Sequence, residues 1–278
     1  MTNKNTILNK LENDLISSKE ITSLLKKEFN NIPLYTFKTL ASTNEKAKEL
    51  ASNKAPHGTV IISEEQTAGK GRMGRSFYSP ANSGIYMSII LKPNLKIYDS
   101  VLITTAASVA VCTAIENTTS ITPKIKWIND IMVNNKKVCG ILTEAVTDFK
   151  TDNIQYVVIG IGINFTTPLE HFPKEIKNIA VSLFNNGNNN ISRNTLCAEI
   201  INEILYMIKD IKNYNFIDEY KEKSIVLNKE INFIKGNIYT KGKVIDINND
   251  GSLVVKKDTN EIVILNSGEI SIRSFIDN

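Results

Sequence analysis

The segment Gln66-Thr67-Ala68-Gly69-Lys70-Gly71-Arg72-Met73-Gly74-Arg75 contains the pattern Gly-x-Gly-x-x-Gly. A dinucleotide-binding turn with this pattern leads directly into a helix and needs an acidic residue about twenty positions further on. Here Pro80 and Gly84 interrupt the residues that follow, and residues 87–91 have the apolar pattern of a strand. A P-loop is also excluded, because no Ser or Thr follows Lys70 and no earlier glycine stands at the required spacing. The segment therefore predicts a loop that joins two strands.

The cation loop, defined here as residues 69–75, combines small residues with the cationic side chains of Lys70, Arg72 and Arg75. Backbone N–H groups of a glycine-rich turn bind anions together with guanidinium or ammonium donors. A ligand that carries both a carboxylate and a phosphate would suit such a loop. A solvated basic loop without a ligand is the alternative on composition alone.

Length, charge and cysteine content exclude several classes of protein. The chain has 278 residues, of which 42% are hydrophobic, and a formal net charge of +4, which is too mild to indicate nucleic-acid binding. The N-terminus has no apolar signal region, and the longest apolar run, at residues 157–163, is too short to cross a bilayer. We therefore expect a cytoplasmic protein with no membrane association. Cys112, Cys139 and Cys197 form no Cys-x-x-Cys pair, which favours buried reduced thiols over disulfides or a zinc site.

Hydrophobic periodicity divides the chain into a short helical extension (1–33), a larger domain (34–224) and a small all-β domain (225–278). Helical spacing predicts two short helices within residues 4–29 and further helices over 45–51, 99–116, 192–211 and 215–223. Strands are predicted at residues 34–37, 59–63, 84–91 and 156–164, and as a hairpin over 124–146 with its turn at Asn134-Asn135. The C-terminal region predicts a barrel with strands at 230–234, 239–247, 253–257 and 261–265 and a tight turn at Asp250-Gly251. Ser42 or Thr43 is expected to cap the helix that follows it.

Five sequence blocks occur in the order found in one enzyme family. They are Ser42-Thr43-Asn44, the segment at 66–75, Lys126-Trp127-Ile128-Asn129-Asp130, Lys137-Val138-Cys139-Gly140-Ile141-Leu142 and Gly160-Ile161-Gly162-Ile163-Asn164. Over residues 34–278 the chain resembles the biotin protein ligases. The chain departs from the family at Lys70, where arginine is common, and at Ile128, where proline is usual. The resemblance implies an α+β fold, with a class II synthetase-like mixed sheet covered by helices and then an SH3-like barrel.

The resemblance also implies which residues bind the substrates. The residues expected to bind biotin are Ser42, Thr43, Asn44, Gln66, Gly69, Lys70, Gly71, Arg72, Lys137 and Gly140. Those expected to bind ATP are Lys70, Arg72, Arg75, Trp127, Asn129, Asp130 and Asn164, with Asp130 at Mg²⁺. Arg72 and Lys137 are the expected catalytic residues, because they can neutralise a carboxylate and an α-phosphate that must approach each other.

The activity implied by the resemblance is ATP-dependent formation of biotinyl-5'-AMP and transfer of biotin to a lysine of a biotin carboxyl carrier protein. Two rivals are a lipoate ligase or octanoyl transferase, which share the catalytic fold, and a biotin-responsive transcriptional repressor. About thirty-three residues precede the larger domain, too few for a winged helix, so no specific DNA binding is expected. A homodimer is possible. His57 and His171 lack a neighbouring nucleophile in the sequence, and Cys139 lies within a strand, so neither a histidine triad nor a cysteine nucleophile is expected.

Overall fold

The protein is described by a computed structural model that covers residues 14–148, 150–184, 189–209, 211–212, 216–235, 238–268 and 270–272. The first of the two helices predicted within residues 4–29 falls largely on residues 1–13, which lie outside the described residues. The second helix is confirmed as α1 (Ser18–Leu24), where the Ser17 side chain accepts a hydrogen bond from the Glu20 N–H. A serine at this position satisfies one of the N–H groups that have no partner within a helix.

Seven strands form one mixed sheet in the larger domain, in the spatial order β1-β2-β3-β7-β6-β5-β4. The strands are β1 (Leu34–Phe37), β2 (Thr59–Ser63), β3 (Gly84–Leu91), β4 (Lys124–Lys126), β5 (Asp130–Val133), β6 (Lys136–Thr147) and β7 (Ile154–Asn164). Only the β1–β2 pair is parallel among them. Every residue of β2 and β3 is buried, which explains why both read as continuous apolar runs rather than alternating patterns.

The predicted hairpin over residues 124–146 is wrong in one respect, because three strands occupy this region. The turn at Asn134-Asn135 is confirmed between β5 and β6, and both asparagines have positive φ angles of 49° and 61°. Residues 127–129 separate β4 from β5, and the Trp127–Ile128 peptide bond is cis. Trp127 and Asn129 therefore lie in the connection between β4 and β5 rather than inside a strand.

Helices cover the sheet. They are α2 (Thr43–Ser52), α3 (Ser100–Thr118), α4 (Arg193–Lys209) and α5 (Phe216–Lys223). By length and composition α3 could cross a membrane, but 61% of its most apolar window is buried inside the fold, as expected for a core helix. Ser42 occupies the N-cap position of α2, as predicted. Its side chain makes no capping hydrogen bond, so the predicted capping contact is wrong.

The N-terminal segment is anchored by a buried ion cluster around Arg193, whose side chain is 1% exposed. Its guanidinium donates to Glu64 at 2.6 Å and to the Gly84 carbonyl at 3.1 Å, and it pairs with Asp14 at 3.3 Å. The other Glu64 oxygen accepts the Ile16 N–H at 2.6 Å. A buried charge is tolerated when it is paired and hydrogen-bonded, as the Arg193 guanidinium is here. The contacts of this cluster join three segments that are distant in the chain.

The C-terminal domain is a five-stranded antiparallel sheet with the order β11-β10-β9-β8-β12. Its strands are β8 (Glu230–Lys235), β9 (Ile238–Ile247), β10 (Leu253–Lys257), β11 (Ile262–Leu265) and β12 (Ile270–Ile272), of which β12 was not predicted. Gly251 in the β9–β10 turn has a φ of +83°, which agrees with the predicted Asp250-Gly251 turn. The Gly251 carbonyl accepts the Trp127 indole N–H at 3.0 Å, and one continuous hydrophobic core includes residues of both domains.

Candidate active site

A cavity of about 470 Å³ opens where the N-terminus of α2, the cation loop, the β5–β6 region, β7 and β12 meet. Fourteen of the fifteen predicted site residues line it: Ser42, Thr43, Asn44, Gln66, Lys70, Gly71, Arg72, Arg75, Trp127, Asn129, Asp130, Lys137, Gly140 and Asn164. The exception is Gly69, which does not line the cavity. A Cβ atom at Gly69 would meet the Phe77 carbonyl oxygen at 2.5 Å, so this glycine lets the two ends of the loop pack together.

Hydroxyl and amide groups line one end of the cavity. Gln66 Oε1 accepts hydrogen bonds from the Thr43 N–H at 2.8 Å and from the Thr43 hydroxyl at 3.1 Å. Asn44 donates through Nδ2 to Glu144 at 2.7 Å, and the fully buried Ser88 hydroxyl lies 2.6 Å from Asn44 Oδ1. These contacts fix the directions of the polar groups before any ligand binds, which lowers the ordering cost of binding.

Two glycines of β7 make room for side chains of the cavity. A Cβ atom at Gly160 would overlap the Asn44 amide, and one at Gly162 would lie 2.5 Å from the Phe77 ring. Both glycines lie within the sheet, where the missing side chain allows another group to approach the backbone closely. We infer that the Gly-Ile-Gly spacing of β7 is required by the two side chains that pack onto it.

The opposite end of the cavity is cationic. Arg72 donates to Asn129 Oδ1 at 3.0 Å and to the Gly268 carbonyl at 3.2 Å. Asn129 is oriented in turn by a 2.6 Å hydrogen bond from its Nδ2 to the Ile141 carbonyl. The guanidinium is therefore held between the two domains at the cavity wall. In these contacts its N–H groups donate to neutral oxygens, which do not neutralise its positive charge.

Lys137 and Asp130 face each other across neighbouring strands, with 2.6 Å between Nζ and Oδ1. The Asp130 carboxylate and the Asn129 amide are hard oxygen donors of the kind that Mg²⁺ prefers. No group of three or more His, Cys, Asp or Glu side chains that could hold a metal occurs among the described residues. Any magnesium here would thus rely on few protein ligands, with ligand phosphates and water supplying the others, which is the usual arrangement for this ion.

Lys70 lines the cavity but its ammonium group pairs with Glu45 of α2 at 2.5 Å. The Lys70 ammonium group therefore has a carboxylate partner on α2, whereas the Arg72 guanidinium donates to Asn129 and Gly268. Trp127 is 4% exposed, and its N–H is used by the C-terminal domain. Asn164 is also buried and donates to the Val181 carbonyl at 3.2 Å.

Several cavity residues were missed by sequence reasoning. They are Ser76, Phe77, Tyr78, Lys126, Ile176, Ile179, Ala180, Gly268, Ile270 and Ser271, besides the strand residues that flank the predicted ones. Most of them follow no local pattern that marks a site, because they reach the cavity through tertiary packing. Phe77 had a signal: it lies two residues after the glycine-rich loop, and an aromatic residue has a large apolar surface that is usually buried by packing.

The three cysteines are expected to resist alkylation in the native protein. Cys112, Cys139 and Cys197 are buried, and burial raises the pKa of each thiol, so the reactive thiolate is scarce. We expect less than one equivalent of iodoacetamide to react with the folded chain at neutral pH, and three equivalents in denaturant, as measured by mass spectrometry. Rapid native modification of Cys139 would contradict its position in the core and would make a cysteine nucleophile tenable.

Sequence and structure comparisons identify relatives. Residues 36–164 match the Biotin/lipoate A/B protein ligase family, and residues 226–273 match the Biotin protein ligase C terminal domain. The chain is 36% identical over 255 residues to the bifunctional ligase/repressor BirA of Bacillus subtilis, covering 88% of this chain and 75% of that protein. It is 26% identical over 230 residues to the biotin--[acetyl-CoA-carboxylase] ligase of Mycobacterium tuberculosis, covering 80% and 82%.

Among solved structures, the biotin protein ligase of Aquifex aeolicus in complex with biotin and ATP superimposes with a TM-score of 0.73 and 27% identity. The match covers 87% of this chain and 98% of that one. It therefore includes both domains, and the α+β fold with a C-terminal antiparallel sheet is confirmed. The first family includes lipoate enzymes by name, but the C-terminal match is to biotin protein ligases alone, and the chain belongs to the biotin protein ligase family.

Proposed function

We propose that this chain joins biotin to ATP as biotinyl-5'-AMP and then transfers the biotinyl group to a lysine of a biotin carboxyl carrier protein. One observation carries the proposal: a single cavity has an amide and hydroxyl end at Thr43, Asn44 and Gln66 and a cationic end at Arg72 and Lys137. Biotin has a matching polarity, with a ureido ring at one end and a carboxylate at the other. The Aquifex relative, whose structure contains biotin and ATP, supports the same pair of substrates.

The ureido ring needs both donors and acceptors when it is buried, since an unpaired polar group is costly. Thr43, Asn44 and Gln66 supply both kinds at the hydroxyl and amide end of the cavity. Between the two ends, the Phe77 ring lies against Gly162 and offers an apolar wall for the sulfur ring and the alkyl chain. The carboxylate then extends toward Arg72 and Lys137.

In the first step a biotin carboxylate oxygen attacks the α-phosphorus of ATP, an O–P bond forms, and pyrophosphate leaves with the electrons of the broken bond. The carboxylate is already a nucleophile at neutral pH, so no protein base is required. Arg72 and Lys137 lower the repulsion between two anions, and positioning supplies much of the remaining rate. Asn129 and Asp130 would hold Mg²⁺, whose chemistry is neutralisation of the phosphate charge.

In the second step a carrier lysine amine attacks the carbonyl carbon of the mixed anhydride and a C–N bond forms. AMP leaves with the electrons of the broken C–O bond, and the nitrogen loses one proton to water. The cation loop shields this reactive anhydride from water while the carrier docks.

The location in the cytoplasm and a homodimeric state remain parts of this proposal. The name of the Bacillus relative includes repressor activity; our expectation that this chain does not bind operator DNA also stays a prediction, and a gel shift with its own promoter tests it.

The biotinylation assay is the direct test. The protein is incubated with ATP, Mg²⁺, biotin and an acceptor carrier domain, and we expect one added biotinyl group by mass spectrometry. A carrier whose target lysine is replaced by arginine is the matched control and should remain unmodified. If lipoate or octanoate labelled the carrier more efficiently than biotin, the proposed substrate would be wrong.

A further inference from the structure

Lys70 lines the cavity, and its ammonium group forms an ion pair with a residue of a helix. Its Nζ lies 2.5 Å from Glu45 Oε1, and both side chains are partly exposed, at 48% and 44%. Glu45 lies in the first turn of α2, directly after Thr43 and Asn44, which form the polar end of the cavity. The ion pair therefore connects the cation loop to the same helical turn that would hold the biotin ring.

The position of this pair along the loop is mechanically significant. The base of the loop is held by backbone hydrogen bonds from Thr67 and Ala68 to residues 40–41, at 2.9 and 2.8 Å. The tip is held by Arg72, through its contacts to Asn129 and Gly268. Lys70 lies between the base and the tip, so its contact to α2 restrains the stretch that carries Arg72.

Resting on the proposed function, we propose that Glu45 is a positioning residue: by pairing with Lys70 it fixes the cation loop over the cavity, so that Lys70 anchors the loop and Arg72 neutralises the reacting anions. Glu45 also accepts a hydrogen bond from Lys48 at 2.6 Å. The hydrogen bonds from Lys48 and Lys70 lower the pKa of Glu45, so the anchor stays ionised at neutral pH.

The same network reaches the biotin end of the cavity. Lys48 pairs with Glu144 at 3.0 Å, and Glu144 accepts the Asn44 Nδ2 hydrogen bond at 2.7 Å. Glu45 thus connects Lys70 of the cation loop, through Lys48 and Glu144, to the Asn44 amide at the polar end of the cavity. Sequence reasoning assigned Lys70 to the anions; on that assignment Glu45 would compete with the ligand for Lys70, and its removal would strengthen binding.

The two roles predict opposite results in a double-mutant cycle of Glu45→Gln and Lys70→Met. If Lys70 is an anchor, each single variant raises the KM for biotin about three- to fivefold, as expected for an exposed ion pair. The KM of the double variant should then be no higher than the higher KM of the two single variants, because both substitutions remove the same Glu45–Lys70 contact. Glu49→Gln is the matched control, since Glu49 lies on the same helix and pairs with Lys46 at 2.6 Å on the exposed surface.

Amide hydrogen exchange gives a readout that does not depend on activity. Peptides that span residues 69–76 should exchange about threefold to fivefold faster in Glu45→Gln and in Lys70→Met than in the wild type or in Glu49→Gln. A lower KM in Glu45→Gln, additive effects in the double variant, or unchanged loop exchange would overturn the positioning role. A wild-type chain that releases no pyrophosphate with biotin would instead overturn the proposed function itself.

Discussion

Arg72→Ala is expected to lower the rate of biotinyl-adenylate formation about 100- to 1,000-fold, the range seen when one preorganised donor to a developing charge is removed. Arg72 is the guanidinium that the structure holds at the cavity wall between Asn129 and Gly268. Its partners there are neutral oxygens, so the charge is available to an anion. The loss should appear mainly in kcat, because the interaction grows as the carboxylate and the α-phosphate approach.

Pyrophosphate release under single-turnover conditions measures this step without the carrier. Arg72→Lys tests whether the planar fork is needed, and we expect it to recover only part of the rate, since lysine cannot bind two oxygens in the same way. Lys209→Ala is a control for loss of a cation elsewhere, as Lys209 is 68% exposed and pairs with Glu28 on the surface. Adenylate formation within a factor of about two of wild type in Arg72→Ala would remove this residue from the reaction.

Arg193→Met should cost about 3–5 kcal/mol of unfolding free energy, the second large effect, because it leaves buried carboxylates without their cation. Glu64 and Asp14 both pair with Arg193, and methionine preserves much of the apolar volume. Urea unfolding followed by circular dichroism gives the free-energy difference. Lys209→Met removes an exposed cation by the same substitution and should change stability by less than about 1 kcal/mol. Equal effects of the two variants would show that the buried cluster adds nothing.

The penalty in Arg193→Met should also depend on pH. Burial raises the pKa of Asp14, while Arg193 acts in the opposite direction, so its removal shifts this pKa further upward. A carboxyl group whose folded pKa lies above its unfolded value favours the folded state when protonated. The variant should therefore lose less stability at about pH 5 than at about pH 8. A penalty that grows on acidification would exclude this explanation.

Local sequence patterns predicted most helices and strands because their apolar residues follow one period. The exceptions have physical causes. The strand β12 has three residues, too few for a period to be visible, and it forms only by pairing with β8. The break at residues 127–129 was not predicted because Trp127 and Ile128 are residue types that favour a strand. The Trp127 side chain is directed by a contact to Gly251 that lies 124 positions away.

The site was predictable where ligand-binding chemistry and sequence spacing coincide. Arg72, Asn129 and Lys137 have charged or amide side chains that can bind anions or phosphates, and the structure brings all three to one cavity. The position of Lys70 was not predictable, since nothing in the loop itself shows that Glu45 is available as a partner across space. Gly268 was missed for a related reason: its carbonyl oxygen, not its side chain, makes the contact.

The hydrogen bond from Arg72 to the Gly268 carbonyl joins residues 196 positions apart, and Ser271 of the same domain also lines the cavity. A ribosome must therefore synthesise nearly the whole chain before the Arg72 guanidinium can make its contact to the C-terminal domain. The seven strands of the larger sheet, by contrast, all lie before residue 165. A chain truncated before Gly268 would accordingly lack one of the two contacts that hold the Arg72 guanidinium at the cavity wall.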